Sequence, residues 1–130
     1  MHKPEPEDLK KTKVTIIGVN LVTINTAEQL NEDWYDIQMY TNWKKNYKTY
    51  DYRDNVHLVD SLEPKDLIKE QIFDTDILVL GHSDVDINYS LALAAKEYGV
   101  ERVLTRIQNS DPTSMAEMDK RLSDAGVEFF

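Results

Sequence analysis

Residues 76–100 read Asp76-Ile-Leu-Val-Leu-Gly-His-Ser-Asp-Val-Asp-Ile-Asn-Tyr-Ser-Leu-Ala-Leu-Ala-Ala-Lys-Glu-Tyr-Gly-Val100. The apolar run at 77–80 is typical of a strand that is buried on both faces of a parallel sheet. A polar turn follows at 81–86, and a helix is predicted at 87–98 with Gly99 as its C-terminal cap. Ligands of open α/β sheets bind at the carboxyl ends of the strands. The segment therefore predicts one strand-turn-helix unit of a nucleotide-binding α/β domain.

Strands and helices alternate along the rest of the chain. The predicted strands span 13–19, 37–40, 56–59, 102–107 and 127–130, and the predicted helices span 20–31, 63–71 and 111–124. Residues 41–55 form either a short helix or a long loop, whose aromatic side chains we assign to packing rather than to base stacking. Such alternation implies a parallel sheet with right-handed crossovers. The predicted fold class is a three-layer, doubly wound α/β sheet.

Charge and composition exclude several kinds of partner. The formal net charge is −9, from 24 acidic and 15 basic residues, which argues against nucleic acid as a partner. The chain has no cysteine, and its histidines, His2, His57 and His82, lie far apart in sequence. We therefore expect no metal site.

The chain has the length of one domain. At 130 residues it can bury one core of ordinary size. Residues 1–12 are charged and contain two prolines, which predicts a linker ahead of a single domain at 13–130. No apolar run reaches the roughly 18 residues that a membrane-spanning helix needs, so we expect no insertion of this segment into a membrane.

Four segments resemble a known family. From Lys13 onward the chain resembles the N-terminal lobe of the RCK domain, also called TrkA-N, which regulates potassium channels, potassium uptake systems and cation/proton antiporters. One of the four segments is the run 76–100, and its most specific part is 84–100, with its acidic turn, its asparagine and its small-residue helix. The other three segments are the first strand up to Gly18, Asp60 after the third strand, and residues 102–106. The resemblance implies a Rossmann-type fold, a nucleotide site at the carboxyl edge of the sheet, and a homodimer of paired lobes.

The phosphate-binding turn departs from the family pattern. The family's G-x-G-x-x-G or S reads Gly18-Val-Asn20-Leu-Val-Thr23 in this chain, so the glycine that lets the backbone approach a pyrophosphate is lost. The carboxylate expected to bind the ribose is replaced by Thr41. NAD is therefore disfavoured as a cofactor, whereas the helix start can still hold the phosphate of an adenine mononucleotide such as ATP, ADP or AMP. By the resemblance, Asp60 would accept the adenine amino group.

Five further polar residues lie at the same predicted edge. His82 is either a pH-sensitive cleft residue or, more often in such turns, an exposed turn residue. Arg106 is expected to meet a phosphate or a partner's carboxylate, or to form a surface salt bridge. Asn88 either lines the cleft or, in the interpretation we favour, satisfies a buried backbone group. For Asp84 and Asp86, stabilisation of the helix start is favoured over acid/base catalysis.

These observations predict a function in regulation. No nucleophile or phosphate-loop motif is present, so we expect no enzymatic activity. The leading hypothesis is a cytoplasmic regulatory domain of a potassium or cation/proton transport protein. Its membrane transport domain would lie on the same chain or on another. It would act by dimerisation and by adenine nucleotide sensing or, with a degenerate cleft, by dimerisation alone.

Small residues on the helix after the fourth strand predict the dimer contact, because they permit close helix-helix approach. The residues of this face are Leu91, Ala92, Leu93, Ala94 and Ala95. Alternative hypotheses are an NAD(P)-binding oxidoreductase fragment, a stand-alone nucleotide-binding protein, and an interaction module without any ligand. Fold analogy alone does not separate these classes.

Overall fold

A computed structural model describes the backbone of residues 10–106 and 112–130, and the side chains of 10–106 and 117–130. Its strands are β1 (Thr12–Ile17), β2 (Tyr35–Thr41), β3 (Val56–Leu58), β4 (Ile77–Leu80), β5 (Arg102–Thr105) and β6 (Glu128–Phe129). Its helices are α1 (Leu21–Glu28), α2 (Lys44–Tyr50), α3 (Pro64–Lys69), α4 (Val85–Tyr98) and α5 (Pro112–Asp124). Residues 1–9 of the predicted linker lie outside the described residues. The same holds for Ile107, the end of the strand predicted at 102–107, and for Asp111, the start of the helix predicted at 111–124.

The six strands form one sheet in the order β3-β2-β1-β4-β5-β6, and every neighbouring pair is parallel. Strand β1 lies between β2 and β4, where Ile16 is opposite both Met39 and Val79. The chain runs outward from β1 in both directions, so the point at which the strand order reverses lies between β1 and β4. The predicted doubly wound α/β fold is confirmed.

Helices cover both faces of the sheet. Neighbouring residues of β1 point to opposite faces, so that Ile16 packs with Ile24 of α1 while Ile17 packs with Leu67 of α3. The α1 and α2 face also contains Val14, Ala27, Ile37, Met39 and Val56, and the face of α3, α4 and α5 contains Leu78, Leu80, Leu91, Val103 and Leu122. Two separate apolar layers therefore fix the sheet from both sides.

Several element boundaries differ from their predicted positions. Strand β1 begins at Thr12, inside the predicted linker, and β2 begins at Tyr35 rather than 37. Helix α1 ends at Glu28 rather than 31, with Gln29 as its C-cap. Residues 41–55 contain a short helix, so the loop alternative is wrong. The tyrosines of α2 pack against the apolar layer on the α1 face.

The predicted dimer face of α4 is largely used inside the domain. Leu91, Ala92 and Ala95 are fully buried, while Leu93 and Ala94 are half-buried against the same apolar layer. The small residues allow α4 to pack closely on the sheet and against α3 and α5. Leu93 and Ala94 form the narrow strip of the predicted face that keeps part of its surface accessible. Within the described part of the chain, none of the helices has the length and apolar character needed to cross a membrane.

Candidate functional site

The turn after β1 touches the turn after β4 at the carboxyl edge of the sheet. Gly18 has a φ of +104°, a conformation that residues with a Cβ rarely adopt. A Cβ on Gly18 would lie 2.6 Å from the backbone nitrogen of His82 and 2.8 Å from the carbonyl carbon of Gly81. The glycine is therefore explained by the close approach of the protein's own backbone, without a bound phosphate.

Asn20 caps helix α1 with its side chain. Its Oδ1 accepts the N–H of Thr23 at 3.1 Å, and Thr23 Oγ1 accepts the N–H of Asn20 at 3.0 Å. Asn20 Nδ2 also donates to the carbonyl of Gly81 at 2.9 Å. Two N–H groups at the helix start are therefore hydrogen-bonded to side chains of the same turn. Asn20 also bonds the helix start to the turn after β4.

Close packing reinforces that connection. A Cβ on Gly81 would lie 2.5 Å from Cγ2 of Thr23, and Thr23 is almost fully buried. Gly81 is thus a second glycine that the contact between the two turns requires. Gly81 is visible in the sequence, but its position there does not indicate that it packs against Thr23.

His82 is buried, with 2% of its surface exposed, so the expectation of an exposed turn residue is wrong. Its N–H donates to Asn88 Oδ1 at 3.0 Å, and its carbonyl accepts from Asn88 Nδ2 at 2.8 Å. Asn88 is itself buried on α4. The amide of Asn88 therefore satisfies a buried stretch of backbone, which is the role favoured from the sequence.

The imidazole of His82 connects two turns. Its Nδ1 accepts the N–H of Asp84 at 3.0 Å, and its Nε2 lies 3.1 Å from Oδ1 of Asn42, in the turn after β2. The ring of Trp43 meets the imidazole edge-on, with the ring centres 4.5 Å apart. Because Nδ1 accepts, the ring is neutral with its proton on Nε2. Burial lowers the pKa of His82, and the nearby Asp84 carboxylate opposes that shift.

The turn after β2 is also fixed to the turn after β1. Thr41 is fully buried, and its Oγ1 accepts the N–H of Trp43 at 3.1 Å. Asn46 of α2 donates to the carbonyl of Val19 at 2.7 Å. Thr41 thus stabilises the turn after β2 itself, whereas Asn42 and Asn46 bond to residues in the two neighbouring turns. The sequence places Asn42 beside a candidate ribose-binding position, but it does not reveal the bond to His82.

The acidic residues of the helix start have structural roles here. Asp84 is the N-cap of α4, and its Oδ1 accepts the N–H of Asp86 at 3.0 Å. Asp86 lies in the first turn of that helix. Both carboxylates therefore lie where the helix dipole favours negative charge.

Asp60 and Arg106 lie apart from this cluster. Asp60 borders a cavity of about 400 Å³, lined also by Asn42, Ser61, Leu62, Glu63, Pro64, Asp86, Ile87 and Ser90. It also borders a groove of about 630 Å³ between α3 and strands β2 and β3. Arg106 is half-buried directly after β5, and its N–H donates to the carbonyl of Leu80. Among the described residues, no hydrogen bond joins either side chain to Gly18, Asn20 or His82.

Side chains of the protein itself crowd the carboxyl edge of the sheet near β1. A pyrophosphate needs bare backbone at the second glycine position, where Asn20 instead carries a side chain bonded to Gly81. The mouth of the crevice above β1 is crossed by the contact of His82 with Asn42 and Trp43. These side-chain contacts lie at the edge of the sheet where open α/β domains bind their ligands.

Comparison with known proteins agrees with this fold. The "Putative Na(+)/H(+) antiporter YjbQ" of Bacillus subtilis is 29% identical over 132 aligned positions, which cover 100% of this chain and 20% of the antiporter. The structure of the GsuK RCK domain superposes with a TM-score of 0.67 at 19% identity, covering 97% of this chain and 25% of that one. The chain thus shares the fold of the GsuK RCK domain. The predicted resemblance is thereby confirmed.

The Rossmann-type fold is shared more widely. The NAD(P)-binding domain of an exopolyphosphatase-related protein from Archaeoglobus fulgidus has a TM-score of 0.70 at 10% identity, covering 92% of this chain and 87% of that one. An imine reductase variant from Myxococcus stipitatus, solved with NAD⁺, has a TM-score of 0.60 at 15% identity, covering 92% of this chain and 40% of that one. No family model matches the chain. The chain spans about a fifth of the length of its curated antiporter relative.

Proposed function

We propose that this chain is a regulatory domain of a cation transport protein of the cation/proton antiporter kind. The observation that carries the proposal is the full-length similarity to a segment of a named Na⁺/H⁺ antiporter, together with the RCK-type fold. The transport domain lies on the same chain or on a separate one, and the regulatory domain works at the cytoplasmic face of the membrane.

The proposed mechanism is a shift between arrangements of paired lobes. A neighbouring lobe or ligand that contacts one arrangement better than another raises its population, and the connection to the membrane domain transmits the change. The domain acts in this proposal as a coupling element without catalytic residues. The filled crevice supports a form in which dimer contacts, rather than a dinucleotide, carry the regulation.

Adenine mononucleotide sensing is the second version of the proposal. The cavity at Asp60 lies at the carboxyl edge and has room for a base, and Asp60 would accept an adenine amino group. Three carboxylates, those of Asp60, Glu63 and Asp86, line this cavity. They favour such donor groups and repel phosphates. An NAD(P)-dependent oxidoreductase fragment is not favoured, because the glycine turn is closed by Asn20.

A transport assay tests the proposal. Everted membrane vesicles would be prepared from cells that make the complete native transport protein, with residues 13–130 either intact or deleted. The measurement is cation-driven collapse of an imposed pH gradient. We expect the deletion to change the activation threshold of exchange by severalfold while some exchange remains.

A matched control uses Lys48→Glu, a charge change at an exposed position in the last turn of α2. This variant should exchange cations as the intact protein does. Equal exchange with and without residues 13–130, under every cation and pH condition, would contradict a regulatory role in transport.

A further inference from the structure

The imidazole of His82 is positioned as a bridge between separate parts of the edge. It contacts Asn42 and Trp43 on one side and Asp84 on the other. The bridge passes over β1, where the backbone of His82 lies against Gly18. The contact thus joins the turn after β2 to the turn after β4 at the point where the strand order reverses.

Both ring nitrogens are already used in the neutral ring. Nδ1 accepts from the backbone of Asp84, and Nε2 donates to the amide oxygen of Asn42. A second proton can only go to Nδ1, where it would face the N–H of Asp84 as donor against donor. Either the backbone at Asp84 or the imidazole must then move. The positive charge of the buried ring would also be unfavourable, because neither ring nitrogen is hydrogen-bonded to a carboxylate.

We propose that His82 is a proton-operated latch. When the imidazole gains a proton, Nδ1 no longer accepts the N–H of Asp84, and the start of α4 is released from the ring, while Nε2 still donates to Asn42. The latch goes beyond the proposed regulatory function and is a property of the domain itself, whatever transport protein it serves. In a cation/proton antiporter it would make the domain responsive to proton concentration.

Burial of the imidazole, rather than the surrounding charges, sets the direction of the pH response. The charged groups on the elements around the ring are Asp84 and Asp86 at the start of α4, Asp60 after β3, Lys44 and Lys45 at the start of α2, and Arg106 after β5. Helix α1 carries no charge in its first turn. Burial lowers the pKa of His82 more than the Asp84 carboxylate raises it, so the latch stays closed at neutral pH.

The sign of the stability effect follows from linkage. In the unfolded chain a histidine has a pKa of about 6.5, above its lowered value in the folded domain. Below about pH 6.5 the unfolded chain therefore binds more protons than the folded one. The contribution of the latch is complete above that pH and is lost as the pH falls through the lowered folded pKa.

Trp43 fluorescence tests the latch in this chain. The exposed Trp34 would first be replaced by Phe, so that Trp43, which contacts the imidazole, is the sole tryptophan. Emission would be followed from pH 7.5 down to pH 4.5, with circular dichroism confirming that the domain stays folded. We expect one transition with its midpoint below pH 6.5.

Two variants assign the transition. His57 bonds to Gln38 at 2.6 Å, away from the bridge, so His57→Gln is the matched control and should leave the midpoint unchanged. Asn42→Asp places a carboxylate beside Nε2, which favours the charged ring. It should therefore move the midpoint to higher pH, whereas His82→Gln should abolish the transition.

The Asn42→Asp variant keeps the test decisive if His82→Gln does not fold. An unchanged midpoint in Asn42→Asp would overturn the proposal. So would Trp43 emission that stays constant from pH 7.5 to 4.5 in a folded domain. A transition that disappears in His57→Gln would equally exclude His82 as the group responsible.

Discussion

At the scale of single residues, the retained glycine of the phosphate-binding turn has a structural explanation. Gly18 combines a positive φ with a backbone neighbour only 2.6 Å from where a Cβ would stand. The family pattern accounts for a glycine at this position in the sequence. It does not predict that the neighbour is the protein's own turn after β4, because that contact joins residues more than sixty positions apart.

Substitution of Gly18 separates conformational strain from crowding. Gly99 has a similar φ of +111° but nothing within 4 Å of the place where a methyl group would stand, so it is the matched control. Gly99→Ala should lower the free energy of unfolding by about 1 kcal/mol, the cost of the left-handed conformation. Gly18→Ala should cost about 1–3 kcal/mol more, because the methyl group also meets backbone that cannot move aside. Urea denaturation measures both, and equal losses would contradict the close approach.

His82 shows the limit of inference at this scale. Its type and its place after a buried strand predict a residue at the ligand-binding edge, and it lies there. Its burial depends on Trp43, which covers the ring from about forty positions away in sequence. Local pattern carries no information about such a contact, so the expectation of exposure is wrong.

At the scale of elements, helix α1 is held by one asparagine with two functions. Asn20 caps the helix through Oδ1 and reaches the turn after β4 through Nδ2. Three residues of types that commonly cap helices, Asn20, Thr23 and Thr26, lie in or next to this helix. The structure selects Asn20, while Thr26 Oγ1 donates to the carbonyl of Val22 within the helix.

Two substitutions at Asn20 separate these functions. Asn20→Ala should lower the free energy of unfolding by about 2 kcal/mol, since it removes both the cap and the bond to Gly81. Asn20→Asp keeps the cap acceptor and loses only the donor, so its cost should be about half as large. Thermal and urea unfolding measure these values.

Thr26→Ala provides the reference for this series. Thr26 is partly exposed in the same helix, and alanine favours helix at such positions, so its effect should stay within about 0.5 kcal/mol. If Asn20→Asp and Asn20→Ala destabilise the domain equally, the bond across the two turns accounts for the whole effect and the cap contributes nothing.

Element types are more predictable than element ends. Long apolar runs and a terminal glycine predict β4 and α4 from the sequence, since both depend on local pattern. The ends of α1 and β2 depend on caps and on sheet register, which involve distant residues. Helix α2 lacks a side-chain cap, so its formation depends on its tyrosines packing against the core, and local pattern does not separate it from a loop.

At the scale of the whole molecule, the proposed regulation needs contact between copies of the domain. The half-buried strip of α4 contains Ala94, which packs against the core and keeps part of its surface accessible. We expect light scattering to give twice the mass of one chain at micromolar concentration. Ala94→Arg should shift the mass toward one chain, because a large charged side chain prevents close helix approach.

The exposed Lys48→Glu variant of α2 is the control for this measurement and should remain dimeric. A single-chain mass for the unaltered protein at every concentration up to about 100 µM would contradict dimerisation through this strip. Circular dichroism of each variant would show that the comparison is between folded domains.

We propose that the crevice of this Rossmann-type domain is closed to dinucleotides by its own side chains, and ligand titration is the decisive check of that closure. Thermal and urea unfolding would be followed at pH 7.5 with increasing NAD⁺ and NADH, with ATP, ADP and AMP in parallel. A ligand at 100 times its dissociation constant adds about 2.7 kcal/mol to the free energy of unfolding. We expect no stabilisation by either dinucleotide at millimolar concentration. Stabilisation that grows with the logarithm of NAD⁺ or NADH concentration would show instead that the crevice is open.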